Sequence, residues 1–306
     1  MVRQAIRGLA ERSLAAGASL GLRRRVRGRA LILAYHNVVL DGSGTRGDRS
    51  LHLPLSVFSA QLDWLQARCD VVSLSALLTP DGSSERPRVA ITFDDAYRGA
   101  VTTGIGELAR RGLPATIFVA PGLLGDQTFW WDQAAESSNA PEVPHALRER
   151  ALGSCQGRAD VIRADWAELG LRFDAALPAA FRSASLDELT HAASLPGVSL
   201  GAHSWSHPNL ASLDGQLLRE ELDRPSEWLA QRYPTSAIPC LAYPYGLHDA
   251  KVRSATAAAG YIAGFRVDGG WFKQRQGADF QTPRLNIPSG ISPERFRIYL
   301  SALPWL

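Results

Sequence analysis

The apolar positions of this chain gather into seven short runs, at about 30–35, 88–93, 115–120, 197–202, 238–243, 261–266 and 282–287. Runs this short and this continuous read as buried strands rather than amphipathic helices. Helix-like stretches separate them, and alternation of the two predicts an α/β fold, a distorted parallel (β/α) barrel of about seven strands. The interval from Phe118 to Val198 is too long for an ordinary crossover. It is therefore read as a mainly helical insertion over about 125–190. No Pro/Ser/Gly-rich linker divides the rest, so residues 30–306 are expected to form one large domain.

Charge changes the picture at one end. Residues 1–29 hold eight arginines against the single Glu11, a net +7 in a chain whose total is +3, which leaves −4 for the remainder. With Ile6, Leu9, Leu14, Leu20 and Leu22 between them, these arginines suit a basic amphipathic leader. Two readings stand: a helix resting on an anionic membrane surface, or a solvated helix packed on the barrel. The leader is a poor secretory signal, because an arginine cluster stands where a small-residue cleavage site is needed. No apolar run reaches the roughly 18–20 residues of a membrane span. The expected location is the cytoplasm, with contact to the inner membrane as its peripheral form. Cys69, Cys155 and Cys240 are odd in number and widely spaced, which speaks for buried free thiols. Nucleic acid is an unsuitable partner, since the positive charge is confined to the leader and no recognition motif accompanies it.

The chemistry gathers at the ends of two predicted strands. Thr92-Phe93-Asp94-Asp95 follows one, and His203-Ser204-Trp205-Ser206-His207 follows another. Two imidazoles and one carboxylate give three ligands to a divalent metal and leave a position for water. A second, adjacent carboxylate is then free to take a proton. Each segment has a plainer reading: an Asp pair can cap the next helix, and two histidines four apart occur on surfaces by chance. Together, at strand C-termini, where barrels carry their catalytic loops, they point to a metal site with a spare base.

These segments resemble the T-F-D-D and H-S/T-x-x-H motifs of the NodB-homology polysaccharide deacetylases, carbohydrate esterase family four. Leu241-Ala242-Tyr243-Pro244-Tyr245-Gly246 resembles the third motif, and the likeness covers most of residues 30–300 in family order. The resemblance implies that Asp94 is the general base and that Asp95, His203 and His207 hold the metal. Zinc is preferred, though the ligand set also accommodates cobalt, nickel or iron. It implies further that the backbone N–H of Tyr245 helps to stabilise the oxyanion, and that the reaction removes N-acetyl groups from an amino-sugar glycan. Given the leader, the expected substrate is an N-acetylated glycan or a lipid-linked amino sugar.

Two departures from the family pattern bear on mechanism. Where many members carry an arginine that orients the catalytic aspartate, this chain has Ala242, and Arg284 is the candidate substitute. No histidine follows His248, so the usual late general acid is missing. His36, delivered by the run Ala30–Tyr35, is the candidate replacement, as in the exopolysaccharide-deacetylase branch; its plainer reading is a hydrogen-bonded structural histidine. Trp131, Trp205 and Tyr243 are candidates for lining the substrate cleft, while the Phe129-Trp130-Trp131-Asp132 segment could instead pin the insertion to the barrel. Two other functions stay open on the residues alone: a deformylase or other C–N hydrolase acting on a sugar derivative, and a glycan-binding protein without turnover.

Overall fold

The computed structural model describes residues 29–79, 86–274 and 277–300. Its strands are β1 (Arg29–Tyr35), β2 (Asn37–Val39), β3 (His52–Pro54), β4 (Asp70–Val71), β5 (Arg88–Phe93), β6 (Ala115–Val119), β7 (Val198–Ala202), β8 (Ala237–Ala242), β9 (Ala263–Arg266), β10 (Phe272–Lys273), β11 (Asp279–Pro283) and β12 (Leu285–Asn286). Seven of the positions around the sheet coincide with the seven apolar runs.

Neighbours run β1-β5-β6-β7-β8-β9-β11, all in parallel, and β12 pairs in parallel with β1 to bring the sheet round into a nearly closed barrel. The last stave is split. Its lower part, β11, pairs with β9, and its upper part, β12, pairs with β1, with Arg284 between the two. The short β10 adds an antiparallel partner to β1, and β4 a parallel one to β5.

Strand alternation sorts the side chains into two layers. Leu31, Leu33, Val89, Ile91, Phe93, Ile117 and Leu200 join the large outer core, where they meet helical residues such as Phe58, Leu62, Leu108, Leu189 and Leu222. The alternate positions Ala30, Ile32, Ala90, Phe118, Cys240, Ala242, Ala263 and Phe265 form a separate, inner cluster. Most of these are small, as a narrow barrel demands. Room is so limited that a Cβ added at Gly201 would stand 2.6 and 2.7 Å from ring carbons of Phe118. The three cysteines are buried and free.

The connection from β6 to β7 is helical, with helices at Trp130–Ser137, His145–Leu152, Ala159–Glu168 and Leu186–Ser194. Ser185 and Glu188 close a capping box at the start of the last of these. Trp130, Trp131, Ile162 and Trp166 are buried, and the Trp130 and Trp166 rings meet edge to face at 5.6 Å. Of the basic leader, only Arg29 is described, and it opens β1; residues 1–28 lie outside the described residues.

Candidate active site

The inward alternation of Ala90 and Thr92 on β5 continues to Asp94, one residue past the strand end, and aims its carboxylate at the barrel axis. There Arg284 meets it. Its two terminal nitrogens, Nη1 and Nη2, each donate to one carboxylate oxygen at 2.7 Å, and Nη1 also donates to Thr92 Oγ1 at 3.2 Å. Arg284 is fully buried, with its guanidinium 5.1 Å from the centre of the Phe118 ring. Burial pushes the Asp94 carboxyl up, but the Arg284 guanidinium, helped by His203, outweighs it and holds the group well below the usual carboxylate range.

Asp95 turns the other way because its backbone enters the left-handed region, at φ 69°. Its Oδ1 stands 3.5 Å from His203 Nε2 and 3.2 Å from His207 Nε2, while the two imidazole nitrogens are 3.1 Å apart. Tetrahedral bonds of about 2.0–2.1 Å to such ligands would set neighbouring donor atoms about 3.3 Å apart, so the triangle has the dimensions of a metal-binding face. Asp95 Oδ1 is buried and has no partner of hydrogen-bonding geometry, which fits an atom arranged for a cation. His203 Nδ1 lies 2.8 Å from the Ala242 carbonyl, so that nitrogen carries the proton and Nε2 presents its lone pair. Burial pushes the His203 imidazole down to about 4, which keeps it neutral and ligand-competent in neutral solution. The residues thus fit a divalent metal held by Asp95, His203 and His207.

Backbone strain is concentrated here. Of eight non-glycine residues with positive φ among those described, Asp95, Ala96, Ser204, His207 and Tyr245 all belong to these loops. Such conformations cost of order 1–3 kcal/mol each and persist only where surroundings impose them. Part of that imposition comes from Glu221, whose carboxylate accepts from the backbone N–H groups of Trp205 and Ser206 and from Ser206 Oγ.

Asp94, Asp95, His203 and His207 share a cavity of about 350 Å³ with His36, Trp131, Tyr243 and Tyr245. His36 follows β1 and is half-buried; among the described residues, no hydrogen bond fixes its ring. The Tyr245 ring lies 4.5 Å from that of His207, and its hydroxyl bonds to the His207 carbonyl at 3.2 Å. Trp131 packs 5.1 Å from His207, with its Nε1 committed to Tyr97 Oη at 2.6 Å. Tyr243 contributes to the wall, but its hydroxyl is turned away and donates to the Phe280 carbonyl. Phe129, Trp130 and Trp131 are buried packing for the insertion, and Trp130 and Trp131 also line the cavity.

Trp205 is the exception. It does not line this cavity but an adjoining groove, where Arg224 stacks over its ring at 3.9 Å. The positive φ of Ser204 and the grip of Glu221 on the next two N–H groups turn the chain so that the residue between the ligands faces outward.

The segment 129–132 does pin the insertion: Asp132, fully buried, accepts from Asp48 N, His52 Nε2 and Tyr97 Oη at 2.8, 2.9 and 2.7 Å, and so ties the insertion to the loop after β5. One feature gave no local signal in the sequence. Arg148 reaches the cavity from the insertion helix His145–Leu152.

The chain is similar to several known proteins. The chain is 21% identical to YxkH of Bacillus subtilis (strain 168), provisionally named a polysaccharide deacetylase, over 89% of this chain and 76% of that protein. Its fold matches the Streptococcus pyogenes deacetylase PplD, with a TM-score of 0.60 at 16% identity over 89% of this chain and 98% of that one. IcaB from Ammonifex degensii matches with the same score and identity over 90% and 97%. The family model for polysaccharide deacetylase matches residues 81–264, which include Asp94, Asp95, His203, His207 and Tyr245 but not His36 or Arg284. Since that match spans more than half of the chain, the protein belongs to the polysaccharide deacetylase family, hydrolases of acetylated glycans.

Proposed function

We propose that this protein is a metal-dependent N-deacetylase of an amino-sugar glycan, with Asp94 as general base and Asp95, His203 and His207 as metal ligands. One observation carries the reading. A carboxylate held ionised by Arg284 and a buried Asp/His/His triangle of metal-binding dimensions open into the same cavity.

When bound, a divalent metal supplies Lewis acidity, which lowers the pKa of water toward 7 and polarises an amide carbonyl. The protein does the rest. Arg284 occupies one lone pair on each Asp94 oxygen and leaves the others to receive a proton from the attacking water. His36, across the cavity, is suited to return a proton to the departing amine nitrogen, and the strained Tyr245 turn to offer its N–H to the developing oxyanion. Zinc is the preferred ion on ligand chemistry. The reading extends to a cytoplasmic enzyme in glycan assembly, with residues 1–29 touching the inner membrane; support for that part is the charge distribution alone.

The test is acetate release from N-acetylated oligosaccharides by metal-reconstituted protein, beside metal-depleted protein and the Asp94→Asn variant. Release that needs both metal and Asp94 is expected. Release of formate but not acetate from matched sugars would replace deacetylation by deformylation, and metal binding without either product would remove the catalytic reading.

A further inference from the structure

Among the described residues lining the catalytic cavity, Arg148 is the single lysine or arginine. Its charge is not consumed by the reaction chemistry. Asp94 is neutralised by Arg284, and Asp95 faces the two metal-ligand histidines. Arg148 instead rests on Asp48, whose Oδ2 accepts from its Nη2 at 2.9 Å.

That anchorage is built rather than incidental. Asp48 is fully buried; its Oδ1 accepts from Ser50 N and Oγ at 3.2 and 2.6 Å, and its backbone N–H donates to Asp132. Only one of the guanidinium's nitrogens is used. Nε and Nη1 have no hydrogen-bond partner among the described residues, and the side chain is 42% exposed. A carboxylate held from behind, with donors left over in front, gives a cation fixed in place at the cavity wall.

Arg148 lines the same cavity of about 350 Å³ as Asp94, Asp95, His203, His207 and Tyr245, so a sugar seated at the reacting centre shares that space with the guanidinium. The remaining guanidinium N–H groups pair best with an oxyanion, through charge-assisted hydrogen bonds; a neutral sugar hydroxyl makes no comparable use of the charge. A preformed cation also avoids the ordering cost of binding.

Resting on the deacetylase reading and deepening it, we infer that Arg148 is a specificity residue for an anionic substrate: an amino sugar bearing a phosphate or carboxylate on, or next to, the ring that loses its acetyl group.

The test measures binding to metal-loaded protein by calorimetry with three ligands: N-acetylglucosamine, its 1-phosphate, and the disaccharide of glucuronic acid with N-acetylglucosamine. Wild type should prefer at least one anionic ligand to the neutral sugar by about tenfold or more. A preference for the phosphate alone identifies a phosphate-linked sugar as substrate, and for the uronate alone an acidic polymer. Arg148→Gln should bring the preference to about unity without weakening the neutral sugar, and Arg148→Lys should keep part of it. Because Arg148→Gln strands the Asp48 charge, the Asp48→Asn/Arg148→Gln double variant serves as the folded control; it should match wild type in metal content and lack the preference. Equal binding of neutral and anionic sugars by wild type would overturn the inference, as would a preference that survives in the double variant. Failure of the two readings separates cleanly. An Arg148-dependent preference without acetate release keeps the anion site and removes the deacetylase, whereas acetate release at equal kcat/KM from charged and neutral substrates does the reverse.

Discussion

Replacing Arg284 with methionine probes the centre of the site. The side chain is fully buried, and its two bonds to Asp94 at 2.7 Å are the hydrogen-bonded counter-charge of a carboxylate only 2% exposed. Removing one member of such a pair leaves a buried charge and typically costs about 3–5 kcal/mol. Burial is already the largest single influence on Asp94; without the guanidinium it is no longer offset, and the pKa should move from well below to above the ordinary carboxylate value of about 3.9. The sign of the pH dependence follows. In wild type the depressed pKa contributes stability that is present above about pH 3.9 and lost as pH falls through the folded value. In Arg284→Met the unpaired carboxylate is penalised most at pH 7–8, and the deficit shrinks as acid neutralises it. Urea unfolding of the metal-free protein at several pH values measures this directly. Activity should fall by about 100-fold or more at pH 7, about 2.7 kcal/mol on the barrier, and recover partly as pH rises and Asp94 ionises. The Asp94→Asn/Arg284→Met double variant should be less destabilised than Arg284→Met alone, because both charges are gone. A single variant within about 1 kcal/mol of wild type at pH 7, or single-variant costs that simply add in the double, would refute the coupling.

Two further perturbations address other parts of the structure. His36→Ala should lower kcat by about 100-fold, within the usual range for a proton-transfer group, and leave metal content by elemental analysis unchanged; full activity would return His36 to a structural role. Gly201→Ala, far from solvent, should destabilise by about 1–3 kcal/mol in thermal unfolding, since its Cβ must displace the Phe118 ring or the Cys240 carbonyl, 3.1 Å away; an unchanged midpoint would mean that the barrel interior is less tightly filled than the contacts indicate.

The strands were legible because parallel strands covered on both faces show as unbroken apolar runs, Arg88–Phe93 being buried along its whole length. The Asp and His pairs were legible because strand ends deliver them. The meeting of Arg284 with Asp94 rested on resemblance, with Ala242 standing where the family has its arginine; spacing says nothing of a contact made across 190 residues. Trp205 was misplaced for a definite reason: neighbours that bind a metal constrain the backbone but not the side on which the intervening residue emerges, and a positive φ at Ser204 reversed it. The reach of Arg148 had no local signature at all, because the polar helix His145–Leu152 reads as any solvated helix until its docking is known.

The split last stave has a consequence for synthesis. Arg284 sits at the junction of the segments that bond to β9 on one side and β1 on the other, so the residue that ionises Asp94 is also the one at which the sheet is joined end to end. A chain emerging from the ribosome holds Asp94, Asp95, His203 and His207 before position 284 is translated. On the proposed function, hydrolytic competence therefore arrives together with closure, and a nascent or C-terminally clipped chain carries the Asp/His/His triangle without the guanidinium that holds Asp94 ionised.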